Sequence, residues 1–219
     1  VSTQGSTVRL VLASASPARL KTLRAAGAHP EVIVSAVDEP ALIAAAGELA
    51  PEALVALLAR AKALDVAGAI EPDPRCAVVV VGCDSMLDLD GRAYGKPGTA
   101  TEAIRRWQEM RGRTGVLRTG HAVITISGAE PRIEVAVSST TVRFADASDA
   151  EIEAYVATGE PLSVAGAFTI DGLGSWFVDS VEGDHHGVVG ISLPLLRVML
   201  RNAGVSVPAL WAADSGRGR

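Results

Sequence analysis

Cysteine, lysine and aromatic side chains are all scarce in this chain. Its two cysteines, Cys76 and Cys83, cannot make a disulfide framework; seven apart on one extended run, they point to opposite faces. No apolar stretch approaches the roughly 18 to 20 residues a membrane span needs; the longest, starting at Ala77, is strand-sized. The N-terminal VSTQGSTVRL has no basic segment followed by an apolar one, so no secretory signal is visible and a reduced cytoplasm is the expected setting. Positive charge is not in excess either. A net charge of -5 and a pI near 5.4 argue against nucleic-acid binding through a broad basic surface. Lysine is the rarest of the charged residues: Arg fills 17 of the 20 basic positions, leaving Lys21, Lys62 and Lys96. What the chain has is apolar substance. At 219 residues and 48% hydrophobic it can offset the entropy of ordering, which excludes disorder and suits one domain over 1–219, with tails expected at 1–7 and 211–219.

Residues 8–13 (VRLVLA) read as a buried strand running into Ser14-Ala15-Ser16-Pro17 and a helix, with Ser16 as its cap, Pro17 in its first turn and Gly27 beyond its end. Residues 32–37 read as a second strand ending at Asp38-Glu39-Pro40. Pro51 opens a helix with an apolar stripe through Leu54, Leu57, Leu58, Ala61 and Leu64, and Lys62 falls off its centre. After a loop at 71–74, residues 77–83 (AVVVVGC) are the strongest strand signal, with Asp84 and Ser85 expected at its end. Asp90-Gly91 is a hairpin turn that places Gly95-Lys96-Pro97 after the return strand. A helix from Thr99 or Thr101 to Met110 precedes two alternating strands at 116–126 and 133–144. Ser148 and Glu151 form a capping box; a short strand at 176–181, a last helix at 192–202 and a frayed tail from Trp211 complete the chain. Early alternation followed by clustered strands implies an α/β protein, a mixed twisted sheet with helices on both faces.

Three places carry candidate chemistry. Where a strand turns through Ser-Ala-Ser-Pro into a helix, unpaired N–H groups attract phosphate, and Ser14, Ser16 and Arg19 could complete a cradle; equally, Ser16 is a common cap. Asp84, delivered by an apolar strand, can bind a divalent metal and orient water, or simply cap a turn. Gly91 to Pro97 has a phosphate loop's flavour, but its glycine spacing is one residue short and Pro97 stands for Ser or Thr, leaving Lys96 as a simple cation. Asp38-Glu39 offers a metal carboxylate or a solvated turn. His185-His186 reads as an ordinary loop pair, because neighbours on an extended chain face apart and no third ligand has suitable spacing, and His121 as a satisfied sheet residue. No Gly-x-Ser-x-Gly elbow or zinc-type cysteine set is present.

In order along the chain stand LASASPARLKTL, VDEP, LARAKA, VVGCDS, GKP, MRGRTG, TTVRF, YVATGEP, AGAF-IDGLG and VEGDHHGVVGISLPLL. Together, from about residue 10 to 200, they resemble the Maf family of nucleoside triphosphate pyrophosphatases, also called septum formation inhibitors. The resemblance implies two lobes around a deep cleft and metal-assisted cleavage of nucleoside triphosphates to the monophosphate and pyrophosphate. By position it implies a phosphate-gripping loop of Ser14, Ser16 and Arg19, a metal or catalytic carboxylate at Glu39, triphosphate-facing Lys62 and Lys96, and Asp84 as proton acceptor and second metal carboxylate, with Arg113 also lining the cleft. Mg²⁺, Mn²⁺ or Co²⁺ is the implied cofactor. The implied partners are a nucleoside triphosphate and, as a candidate assembly, a second copy in a homodimer, with neither nucleic acid nor membrane. Ala18, Ser85 and Asp171 replace the Arg, Thr and Gln usual in branches acting on dTTP and UTP, and Gly115 replaces a common His; Asp171 before Gly-Leu-Gly is similar to the branch accepting 7-methyl-GTP.

Two further readings stand beside the pyrophosphatase: a non-enzymatic, nucleotide-binding regulator of cell division, and a house-cleaning enzyme for noncanonical purine triphosphates. The lysines sharpen the first choice. In so arginine-rich a chain, Lys62 and Lys96 both sit in motifs, and a compact ammonium differs physically from a planar guanidinium fork.

Overall fold

The computed structural model describes residues 7–72, 76–127 and 130–212. Most of the expected tails, 1–6 and 213–219, and residues 73 and 74 of the expected loop lie outside them. The elements run β1 (Thr7–Ala13), α1 (Pro17–Ala25), β2 (Glu31–Val32), α2 (Glu39–Ala46), α3 (Pro51–Gly68), β3 (Cys76–Leu89), β4 (Arg92–Tyr94), α4 (Ala100–Met110), β5 (Thr114–Ile126), β6 (Arg132–Phe144), α5 (Asp149–Ala157), β7 (Val178–Glu182), α6 (His185–Val189), α7 (Leu193–Asn202) and α8 (Val207–Ala212). One seven-stranded mixed sheet holds the order β2-β1-β3-β5-β6-β7, with β4 paired to β3. β2, β1 and β3 are parallel; every other pairing is antiparallel. None of the described helices is long and apolar enough to cross a membrane.

Period-two alternation along β3 sorts its side chains onto the two faces. Val78 and Val80 pack with Ala59, Ala63 and Val66 of α3. Val79, Val81 and Cys83 pack on the other face with Leu23 of α1 and Leu196, Met199 and Leu200 of α7. Helices therefore cover both faces, as the sequence predicts. At the far end, where β3 and β5 run on towards β4, a third core forms around Trp107. Its indole meets Phe144, Tyr155 and Phe177 edge-on, with centroids 5.8, 5.6 and 5.7 Å away, and its Nε1 donates to Ala167 O at 2.7 Å.

Several expectations change. Of the apolar run 32–37 only Val32 joins the sheet, together with Glu31 before it; Asp38, expected to end a strand, instead caps α2, its side chain accepting from Ala41 N at 3.0 Å. β3 does not stop before Asp84 but continues to Leu89, so Asp84 and Ser85 lie within it, paired with Gly120 and Thr119 of β5. The strand expected at 176–181 starts at Val178, after a 3-10 turn over Leu173–Phe177. The helix at 192–202 is not the last: α8 follows, and Trp211 within it donates to Ala26 O at 2.9 Å.

Candidate active site

Two glycines decide how close α3 comes to the sheet. A Cβ on Gly82 of β3 would lie 2.4 Å from Ala59 O, and one on Gly120 of β5 would lie 2.3 Å from Val55 O. Bare backbone at both points lets α3 lie flush on the strands. Its buried face therefore reaches Asp84, which shares that side of β3 with Gly82 and stands opposite Gly120. Lys62, which the apolar stripe places off-centre, is in fact buried at 8% exposure. Its Nζ donates to Asp84 Oδ1 at 2.7 Å and lies 2.9 Å from Glu39 Oε1. A buried ammonium needs such partners, and two carboxylates supply them. Glu39 arrives from the first turn of α2, the element that the sequence reading missed. Burial pushes the Asp84 carboxyl above its ordinary range, only partly offset by Lys62 and Arg19. Asp84 Oδ2 is buried without a hydrogen-bond partner among the described residues.

Ser85 faces the opposite side. β1 stops at Ala13, opposite Gly82, and β4 pairs with β3 only from Leu87, so residues 83–86 have no strand partner on this edge among the described residues. Arg19, on the first turn of α1, fills the gap. Its Nη1 donates to Cys83 O and Ser14 Oγ, each at 2.9 Å, its Nη2 to Ser85 Oγ at 3.1 Å and its Nε to Gly190 O at 2.8 Å. Among the described residues four of the five guanidinium N–H groups are engaged, leaving one on Nη2. Ser16 caps α1 as predicted, accepting from Arg19 N, and Ser14 Oγ accepts from Ser16 N at 3.2 Å. Ala18 is half-buried beside them. The predicted residues thus form two groups, on opposite faces of β3, that meet at the free stretch of its edge.

The rest are more scattered. Lys96 is exposed after β4 and makes no hydrogen bond or ion pair among the described residues; the chain around it is held by Gly166 N donating to Gly95 O at 3.1 Å. Arg113 pairs with Asp90 at the β3–β4 turn, away from both groups. Asp171 is exposed, 3.8 Å from Lys21 of α1 in an open ion pair.

Residues outside the candidate set hold these parts in place. Thr119 Oγ1 lies 2.9 Å from Ser85 Oγ and donates to Gly187 O at 2.8 Å. His121 is fully buried: its Nε2 accepts from Ser192 N at 2.8 Å, so Nδ1 carries the proton and donates to Thr119 O at 3.0 Å. Burial pushes its pKa down to about 4. This is the satisfied sheet histidine that the pattern predicts. Glu160 anchors the loop bearing Asp171, accepting from Tyr155 Oη, Thr169 Oγ1, Leu173 N and Gly174 N at 2.8 to 2.9 Å. Burial alone would raise its pKa, but these donors together hold it below the usual range. The one sequence signal was its place in the Gly-Glu-Pro of YVATGEP.

The sequence profile of the family described as Maf-like protein matches residues 9–203. A protein of Rhodococcus opacus (strain B4) named nucleoside triphosphate pyrophosphatase is 57% identical over 210 residues, covering 95% of this chain and 98% of its own. Proteins of the same name from Mycobacterium sp. (strain JLS) and Salinispora tropica are each 53% identical over 207 residues; both alignments cover 94% of this chain, with 99% and 88% of their own lengths. With a family profile across nearly its whole length and relatives above half identity, this chain belongs to the Maf family.

Proposed function

We propose that this chain is a nucleoside triphosphate pyrophosphatase, hydrolysing its substrate between the α and β phosphates to a nucleoside monophosphate and pyrophosphate. The observation that carries this reading is the Lys62 ammonium held between the Glu39 and Asp84 carboxylates, with one Asp84 oxygen buried and unpartnered. Binding alone has no use for a buried proton acceptor, which favours an enzyme over a nucleotide-binding regulator. The relatives' name points the same way.

Asp84 accepts the proton of the attacking water. Burial raises its pKa, which makes it a better base than a solvated carboxylate, while the Lys62 ammonium favours its charged form. Lys62 also fixes the orientation of both carboxylates. The Arg19 guanidinium, through its remaining Nη2 hydrogen, and the Lys96 ammonium, unpaired among the described residues, neutralise the triphosphate, which brings about four negative charges to a chain of net charge -5. The phosphates lie along the open edge at residues 83–86, in the cleft that the two-lobed family fold implies. Glu39 and Asp84 offer hard carboxylate oxygens, one of them unspent, a donor set that fits Mg²⁺, Mn²⁺ or Co²⁺. Such an ion, when bound, supplies further neutralisation at the phosphates. Base preference is read by the loop carrying Asp171.

Pyrophosphate release is to be measured across ATP, GTP, CTP, UTP, dTTP, 7-methyl-GTP and inosine triphosphate, with each of the three metals. Turnover of at least one nucleotide is expected, with Asp84→Asn lowering kcat by about a hundredfold or more. Binding without turnover under every metal would instead identify the regulator, and full turnover by Asp84→Asn would remove its role as base.

A further inference from the structure

On an extended chain His185 and His186 would face apart and lack a third ligand. They are not on an extended chain. Asp184 caps α6, accepting from His186 N at 3.1 Å, and the two histidines open the helix. Successive side chains there turn by about 100° instead of 180°, and the two imidazoles stack with centroids 3.8 Å apart. The third group is Asp184 itself, whose Oδ1 lies 3.3 Å from His186 Nδ1. One donor atom from each of the three residues lies within 4.8 Å of the other two. Asp184 Oδ2, like the free oxygen of Asp84, is buried with no hydrogen-bond partner among the described residues. A carboxylate oxygen left unspent beside two imidazoles is costly unless something else satisfies it.

We propose that Asp184, His185 and His186 form a second cation site, for a borderline transition metal such as Zn²⁺, distinct in chemistry from the all-carboxylate Glu39–Asp84 pair. Two imidazoles and a carboxylate are a zinc donor set with a fourth position left for water, and they discriminate against Mg²⁺, which prefers oxygen alone. Zinc–ligand bonds of about 2.0 to 2.2 Å bring tetrahedral donors to within roughly 3.4 Å of each other. The donors must therefore close by up to about 1.4 Å, which the exposed His185 can supply by rotating. The backbone beneath is already fixed: Thr140 Oγ1 donates to Asp184 O at 2.9 Å, and a Cβ on Gly187 would lie 2.8 Å from Ser138 Oγ.

The site's position gives it a consequence. α6 is only five residues long, and its Gly187 carbonyl accepts from Thr119 while Gly190, just beyond it, accepts from Arg19. A metal that draws Asp184 towards the imidazoles pulls on the same short helix that orients Arg19 at the phosphate-binding edge.

Zinc chloride titrated calorimetrically into the wild-type chain, with Mg²⁺ saturating, tests the site. The wild type is expected to take up one zinc ion more per chain than the His185→Ala/His186→Ala double variant, or to bind that ion at least tenfold more tightly. Asp184→Asn should weaken the same uptake while melting within a few degrees of wild type. Equal stoichiometry with an affinity change below tenfold, or no zinc uptake by the wild type in Mg²⁺, overturns the proposal. Pyrophosphate release in Mg²⁺ alone is expected to be the same in the double variant as in wild type. Failure of the pyrophosphatase reading would appear in that assay and leave the zinc count untouched.

Discussion

Replacing Gly120 by Ala puts a single methyl group where α3 and the sheet touch. The new Cβ would sit 2.3 Å from Val55 O, whereas real Cβ contacts essentially never fall below 3.0 Å. Backbone on both sides leaves no flexible side chain to give way, so α3 has to retreat by about 0.7 Å or more. Lys62 rides on that helix, and its 2.7 Å bond to Asp84 lengthens towards or past the limit of a hydrogen bond. Overpacking of this kind costs about 1 to 3 kcal/mol of stability. The loss in catalysis is expected to be larger than that shift implies, because a displacement of about 1 Å in a positioning group can lower turnover by about a hundredfold. Urea denaturation gives the stability change, and steady-state pyrophosphate release, measured where the variant is fully folded, gives the rest. Gly82→Ala, whose Cβ would lie 2.4 Å from Ala59 O, should behave alike. A folded Gly120→Ala enzyme with kcat/KM within twofold of wild type would mean that the seating of α3 does not set the geometry of the site.

Other outcomes follow from the same contacts. His121 is held neutral with a pKa near 4 against 6.5 for the exposed group, so between those values the unfolded chain takes up a proton that the folded chain refuses. Stability therefore falls as pH falls, by about 2 kcal/mol from this residue between roughly pH 7 and pH 5. His121→Gln, which keeps an acceptor for Ser192 N, should lose that much less in paired urea melts; identical losses would assign the acid sensitivity elsewhere. Lys62→Arg forces a planar fork into a buried slot shaped for an ammonium and should cut kcat/KM at least about tenfold, and Lys96→Arg should lower it too. Unchanged kinetics in both would make the retained lysines coincidental. Glu160→Ala frees the 169–174 loop by removing the acceptor of its two backbone N–H groups and of Thr169, and should alter KM and nucleotide preference more than kcat with the best substrate. A uniform drop in kcat with KM and preference intact would count against a substrate-reading role for the loop.

Local chemistry was legible in the sequence wherever it is complete within a few residues. Ser16 with Pro17 starts α1, and Ser148 with Glu151 starts α5, because a cap and its partner lie within one turn. Asp38-Glu39-Pro40 carries the same kind of helix-start signal, yet following the apolar 32–37 it reads as a strand's end. What decides the matter is tertiary: beyond Val32 that run pairs with no strand among the described residues. Lys62 was hidden for a similar reason. An ammonium near an apolar stripe reads as a solvated edge until two carboxylates from other elements are brought to it, and that depends on Gly82 and Gly120 acting at a distance in sequence. The family motifs supplied the candidate site residues, but not that Asp84 and Ser85, adjacent in the chain, lie on opposite faces of the sheet.

The uneven placement of the few aromatic residues has a spectroscopic consequence. Six of the eight belong to the core around Trp107, while the other two, Trp176 and Trp211, are exposed. Buried-tryptophan emission therefore follows only the end of the sheet near β4, and the aliphatic end, where α1, α3 and α7 pack, is silent to it. Far-ultraviolet dichroism sees both. If the two ends melt as one cooperative unit the optical transitions superimpose, and a separation between them would measure how independently the halves flanking the Lys62–Asp84 pair can open.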